Sequence, residues 1–122
     1  MQIKEFRFCD FKIHINPEAA RFKLNMASSV GVLRPTSGEM DRVKIVLSIG
    51  CESDDPEDFY LKMLVHGEVL CDKDFDDNEV VAECLPILVD ELRTKANRIA
   101  NEMNLPEFDF LTVNNILQSR SN

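Results

Sequence analysis

Tryptophan is absent from this chain, tyrosine occurs once, histidine twice and glycine four times. The glycines (Gly31, Gly38, Gly50 and Gly67) are isolated, so they form no phosphate-cradling loop. His14 and His66 lack a nearby carboxylate motif and are weak evidence for a metal. The four cysteines, Cys9, Cys51, Cys71 and Cys84, are widely spread without a CxxC pair. Neither a zinc signature nor a disulfide framework follows. Each stands in or beside an apolar stretch, where a small buried hydrophobe is the commoner role than a nucleophile. Basic residues are also outnumbered, 14 against 22 acidic, giving a net charge of −8. That balance argues against nucleic-acid binding, which needs clustered Lys and Arg, and against an anionic membrane surface. No apolar run reaches membrane-spanning length, and the opening "MQIKEFRF" lacks the apolar core of a signal peptide. The expectation is a cytoplasmic protein with no membrane insertion.

What is present suits one domain, residues 1–122, able to bury a modest core. Hydrophobic residues make up 44% and charged residues 30%, the composition of an ordinary folded protein. Acidic residues gather in "ESDDPED" (52–58) and "CDKDFDDNE" (71–79), which read as hydrated turns. Asp54, Asp55, Glu57 and Asp58 lack the spacing of a calcium loop.

The first two-thirds of the chain alternate with period two, the signature of strands covered on one face. In "FKIHI" (11–15), Phe11, Ile13 and Ile15 share a face; Phe6 and Phe8 alternate too, but the phase slips near Cys9–Asp10, which predicts a bulge. In "RFKLNM" (21–26), Phe22, Leu24 and Met26 face one way. "RPTSGEMD" (34–41) is a turn by its Pro and Gly. "RVKIVLSIGC" (42–51) points Val43, Ile45, Leu47, Ile49 and Cys51 inward. "FYLKMLVHGEVLC" (59–71) does the same with Phe59, Leu61, Met63, Val65 and Val69, while Leu64 and Leu70 make its other face partly apolar too. Short connections predict an antiparallel meander.

From Asn78, an N-cap candidate, the spacing changes to that of an amphipathic helix, with apolar residues at 81, 84/85, 88, 92, 95/96, 99 and 103. Pro86 either opens the main helix at its first position or marks a kink; Asn104 and Pro106 end it. "VNNILQSR" adds a short helix. The predicted class is α+β: a four-stranded antiparallel sheet packed against a long helix and a short C-terminal helix. Between the two helices runs "NLPEFDFLTVNNIL" (104–117), too apolar for an ordinary solvated loop. No constellation of catalytic residues stands out and no cofactor or metal is called for, so a binding module is expected and not an enzyme.

Three stretches in this order resemble the SecB family of protein-export chaperones. "RFKLNMASS" (21–29) is similar to the family's second-strand segment, "ECLPILVDELRTKANRI" (83–99) to its Cys-Pro start of the long helix, and "NLPEFDFLTVNNIL" (104–117) to the segment joining its helices. The resemblance implies a homo-oligomer, a dimer and then a tetramer made as a dimer of dimers. It further implies an ATP-independent holdase that binds unfolded polypeptides or preproteins in an apolar groove for export. Carried over by position, the groove would use Phe22, Leu24 and Met26 from the strand and Leu105, Phe108, Phe110, Leu111 and Val113 from the connecting strap. Packing of the same residues in the core is the competing expectation for each. The family docks an acidic sheet surface on the motor SecA. Asp10 matches one such acid, but His14 and Lys62 stand where others align, and Tyr60 replaces an apolar contact. Charge changed in this way at a docking surface costs specificity. A SecB-like protein dedicated to one partner, such as an antitoxin, is the alternative expectation.

Overall fold

The computed structural model describes residues 2–18, 23–34, 42–70 and 76–119. The expectations for Phe22, for Cys71 and for the turn at 35–41 lie outside the described residues. The elements are strands β1 (Gln2–Ile15), β2 (Leu24–Leu33), β3 (Arg42–Ser53) and β4 (Phe59–Leu70), then helices α1 (Asp77–Glu102) and α2 (Val113–Ser119).

All neighbouring strands run antiparallel, in the order β1-β4-β3-β2. The meander expectation therefore holds for β2, β3 and β4 alone. β1 crosses to the far edge and pairs with β4, a Greek-key type of order. The connection from Asn16 to Lys23 is longer than a usual hairpin loop, which leaves room for β1 to pair away from β2. The predicted phase slip is present: the β1–β4 register shifts between Phe8 and Asp10, and again between Ile3 and Glu5.

The alternating runs decide which face is covered. Val43, Ile45, Leu47, Ile49 and Cys51 of β3 and Phe59, Leu61, Met63, Val65 and Val69 of β4 are buried beneath the helices. From α1, Val80, Val81, Cys84, Leu85, Leu88, Val89, Leu92, Ala96 and Ala100 meet them, one stripe at helical spacing. Gly67 permits a close approach. A Cβ there would lie 3.0 Å from Leu88 Cδ2 and 3.2 Å from Ile45 Cγ2, so a side chain would push helix and sheet apart. Among the described residues, the other face of the sheet carries no helix.

The long helix begins earlier than expected. Asp76, not Asn78, is the N-cap, accepting a 2.8 Å bond from the Glu79 amide through Oδ1. Asp77 and Glu79 add negative charge to the first turn, where the helix dipole favours it. Pro86 neither opens the helix nor ends it but sits inside it, on the exposed side. Ala82, whose carbonyl loses its usual donor, is exposed as well, so water can supply the missing bond. At the other end, Asn104 takes φ 58°, the Leu105 amide donates back to Ala100 at 2.8 Å and the Asn104 amide to Asn101 at 3.1 Å. This is a Schellman motif, with asparagine in the left-handed position usually given to glycine.

Candidate polypeptide-binding groove

Residues 103–112 leave the helix end and cross back toward the sheet edge. Three polar bonds hold this strap. The Phe108 amide donates to Asn97 Oδ1 of α1 at 2.6 Å. Asn115 Nδ2 donates to the Phe110 carbonyl at 2.8 Å, and Thr112 Oγ1 caps α2 by accepting from the Asn115 amide at 3.2 Å. α2 is then fastened to β2, where buried Ser28 donates through Oγ to the Ile116 carbonyl at 2.8 Å. Ile116 itself is fully buried.

Between β2, the strap and α2 a furrow stays open. It has a volume of about 400 Å³ and is lined by Leu24 and Met26 of β2, Cys51 of β3, Phe110 of the strap, and Asn115, Gln118 and Ser119 of α2. Leu24, Met26 and Phe110 are half-buried. Phe110 leans on Phe108 with ring centroids 5.9 Å apart. The exposed carboxylates of the neighbouring segments are Glu52 near the end of β3, Asp54 on the β3–β4 turn, and Glu107 and Asp109 on the strap. Asn25 Nδ2 donates to Asp54 at 2.9 Å and ties that turn to β2. Burial, and then the nearby Glu52 charge, push the Cys51 thiol up to about 11. A thiol held protonated in this way is a poor nucleophile at neutral pH.

Of the residues carried over from sequence, Leu24, Met26 and Phe110 meet in the furrow. Phe108 and Leu111 are instead 5% and 0% exposed and belong to the core, the competing expectation for them. Leu105 and Val113 are half-buried against that core, outside the furrow lining. Cys51, Asn115, Gln118 and Ser119 were not foreseen. Cys51 pairs with Met26 in the β2–β3 register, so a correct hairpin alignment would have found it.

The residues expected to dock a partner, Asp10, Tyr60 and Lys62, lie on the opposite, helix-free face. There His14 stacks on Tyr60 with centroids 5.4 Å apart, and its Nε2 donates to the Glu57 carbonyl at 2.9 Å. Lys62 Nζ stands 5.8 Å from the Tyr60 ring centre, and Lys12 pairs loosely with Asp10 at 3.8 Å. Cys9 is exposed, against the expectation of a small buried hydrophobe, because it follows Phe8 and so alternates away from the apolar row of β1. Among the described residues no His, Cys, Asp or Glu cluster could hold a metal ion, and no helix is long and apolar enough to cross a membrane.

A SecB-like chaperone of Mycobacterium tuberculosis, solved in complex with a ChAD peptide from the HigA1 antitoxin, matches with a TM-score of 0.62. The match spans 88% of this chain and 83% of that one, at 11% identity. The fold is SecB-like. A protein of unknown function from Streptococcus agalactiae is a looser likeness, with a TM-score of 0.41 and 8% identity over 85% of this chain and 90% of that one. No protein-family model and no curated protein sequence matches the chain. The SecB-like fold is thus carried here by a largely different sequence.

Proposed function

We propose that the chain is an ATP-independent chaperone that holds unfolded polypeptide in the furrow between β2, the strap and α2. The observation that carries this reading is the furrow itself: half-buried Leu24, Met26 and Phe110 around an open space, on a SecB-like fold. Flexible methionine and flat phenylalanine adapt to many side chains, which suits a binder of varied clients. Burying client surface there contributes roughly 25 cal/mol per Å² without demanding a fixed sequence. The reading predicts that the protein suppresses aggregation of an unrelated unfolding protein at stoichiometric ratio. Met26→Asp with Phe110→Ser should weaken that suppression while the chain stays folded. Unchanged client aggregation in the presence of the wild-type protein would defeat the proposal.

Self-assembly belongs to the same proposal. The row of β1 that faces the helix side, Ile3, Phe6, Phe8, Phe11, Ile13 and Ile15, is only half-buried, and Ile87 of α1 beside it is 52% exposed. α1 packs on β2, β3 and β4 and reaches β1 through Lys95, whose Nζ lies 4.8 Å from the Phe6 ring centre and 5.4 Å from that of Phe8. A second copy would cover this row, as exposed apolar surface of that extent usually requires. Light scattering in solution checks it: a monomer at micromolar concentration refutes this part.

A second reading, service to one partner such as an antitoxin, is favoured by the peptide seated on the M. tuberculosis neighbour. Co-purification would then return one stoichiometric polypeptide in place of a mixed set. On the helix-free face, Lys12 pairs with Asp10, Lys62 lies opposite Lys12, and His14 follows two residues on, a mixed row that supports a docking partner other than a motor such as SecA, which reads acidic residues.

A further inference from the structure

Two pairs of like charge oppose each other across β1 and β4 on the helix-free face: Glu5 opposite Glu68, and Lys12 opposite Lys62. Side chains directly opposite on one face stand about 5 Å apart at Cβ, and like charges there destabilise the sheet. The glutamates have cations of their own, Arg7 at 2.6 Å from Glu5 and Arg42 at 3.2 Å from Glu68. The lysines are served poorly. Lys12 reaches Asp10 loosely, at 3.8 Å, and among the described residues Lys62 forms no ion pair, its Nζ standing 5.8 Å from the Tyr60 ring centre. Both are exposed. Around them the balance of charge is reversed. The described strand residues of this face include five Lys or Arg, with Arg7, Arg42 and Lys44 joining the pair, against four acids. The whole chain has 14 against 22.

The same cross-strand row continues with Gly50, opposite Lys62, and Ala27, opposite Gly50. Glycine weakens a strand interior and is kept where a bulge, a bend or a close approach needs it. Both registers run unbroken past Gly50, and its φ is not positive. An added Cβ would meet nothing nearer than the Ala27 carbonyl at 4.0 Å. Among the described residues, then, nothing requires the missing side chain. Its absence leaves a low floor beside the two lysines, bordered along β4 by half-buried Tyr60 and Leu64.

We propose that this row docks an acidic segment of a partner protein, which sets neighbouring carboxylates against Lys12 and Lys62 and lays its backbone over Gly50 and Ala27. This rests on the docking reading of the helix-free face and is independent of the furrow, whose strand residues Leu24, Met26 and Cys51 point to the other side of the sheet. A carboxylate between the two ammonium groups replaces repulsion by attraction. The pair that weakens the free protein thereby strengthens the complex. Nucleic acid also presents paired anions, but a chain of net charge −8 repels a long polyanion, whereas a short acidic segment meets the local field of this row, since screening confines it to about 8 Å.

The test uses the full-length protein and three probes: a short peptide alternating Glu and Ala, its counterpart with Lys for Glu, and a thymidine oligonucleotide of similar length. The Glu peptide should bind best, with affinity that falls as salt rises. Lys12→Gln with Lys62→Gln should lower that affinity about tenfold or more, yet raise the urea midpoint, because the opposed charges are gone. Gly50→Thr should fold, since its side chain has room, and should bind the Glu peptide about fivefold more weakly or worse by standing in its path. Equal affinity of the wild-type protein and the double lysine variant for the Glu peptide overturns the proposal. So does tighter binding of the oligonucleotide, which would assign the row to nucleic acid. A changed solution mass of the double variant would assign it to a second copy of the chain, and overturns it as well. Preferred binding of the Lys peptide overturns the acidic partner but leaves a docking face, whereas binding of none of the three overturns the docking reading itself. Suppression of client aggregation should be equal in the wild-type protein and the double variant; a loss in the variant would show that the lysines serve the furrow, against the proposal.

Discussion

Ser28 Oγ donates a 2.8 Å hydrogen bond to the carbonyl of Ile116, a residue 88 positions further along the chain. This bond joins the second strand to the last helix, two of the elements that border the furrow. Ser119 Oγ bonds the same carbonyl at 3.0 Å and lies 3.0 Å from Ser28 Oγ, so the three groups form a small network. Ser28→Ala should cost about 1 kcal/mol, because Ser119 keeps the carbonyl partnered. The check is a lower urea midpoint at constant slope, with faster hydrogen exchange confined to α2.

Phe108 and Phe110 should separate stability from binding. Phe108→Ala empties a core position that is 5% exposed and should cost about 3–5 kcal/mol. Phe110→Ala removes a half-buried ring and should cost far less, yet strongly reduce affinity for an apolar client peptide. Thermal unfolding paired with titration of that peptide on the two variants decides it.

Gly67→Ala should destabilise the protein by about 1–3 kcal/mol, since the new methyl meets Leu88 at 3.0 Å and Ile45 at 3.2 Å in a packed core. A smaller neighbour, as in Leu88→Val, should recover part of the loss when combined with it. Denaturant unfolding of the single and double variants measures the coupling.

Asn104 offers a test of backbone conformation. At φ 58° glycine is unstrained, so Asn104→Gly should be neutral or slightly stabilising, whereas Asn104→Val should cost about 1–2 kcal/mol. Melting temperatures of the two variants should move in opposite directions or leave only the valine variant lowered.

Thiol chemistry follows burial. Cys9 should react quickly with an alkylating reagent in the native protein, while Cys51 and Cys84 react only once denaturant is added, as peptide mapping would show. The raised Cys51 value also has a stability consequence. Folding favours the protonated thiol, so its contribution is complete below the ordinary thiol value of 9.0 and is lost as pH rises toward about 11. Replacing it in Cys51→Ala should flatten that alkaline loss.

The runs in β3 and β4 were legible as sequence because each alternates without interruption, and their buried faces match the alternation residue for residue. The bulge after Phe8 was legible for the same reason, as a break in phase. Helix boundaries were less so. Asp76 and Asn78 are both good caps by side chain, and only the bond to the Glu79 amide distinguishes them. In the strap, "EFDFL" (107–111) alternates, which by itself favours a strand with both phenylalanines on one side. The Phe108 amide bound by Asn97 fixes one ring inside, and Phe110 is left at the furrow.

Local periodicity, the switch from period two to helical spacing, and the breakers Asn104 and Pro106 determined the elements, because each depends on neighbours within a few residues. Strand order, the open furrow and the opposition of Lys12 to Lys62 were decided only by the tertiary structure. Those depend on which distant surfaces meet: β1 against β4, and α2 against β2 through Ser28 and Ile116. Alternation states that a face is apolar but never which partner covers it.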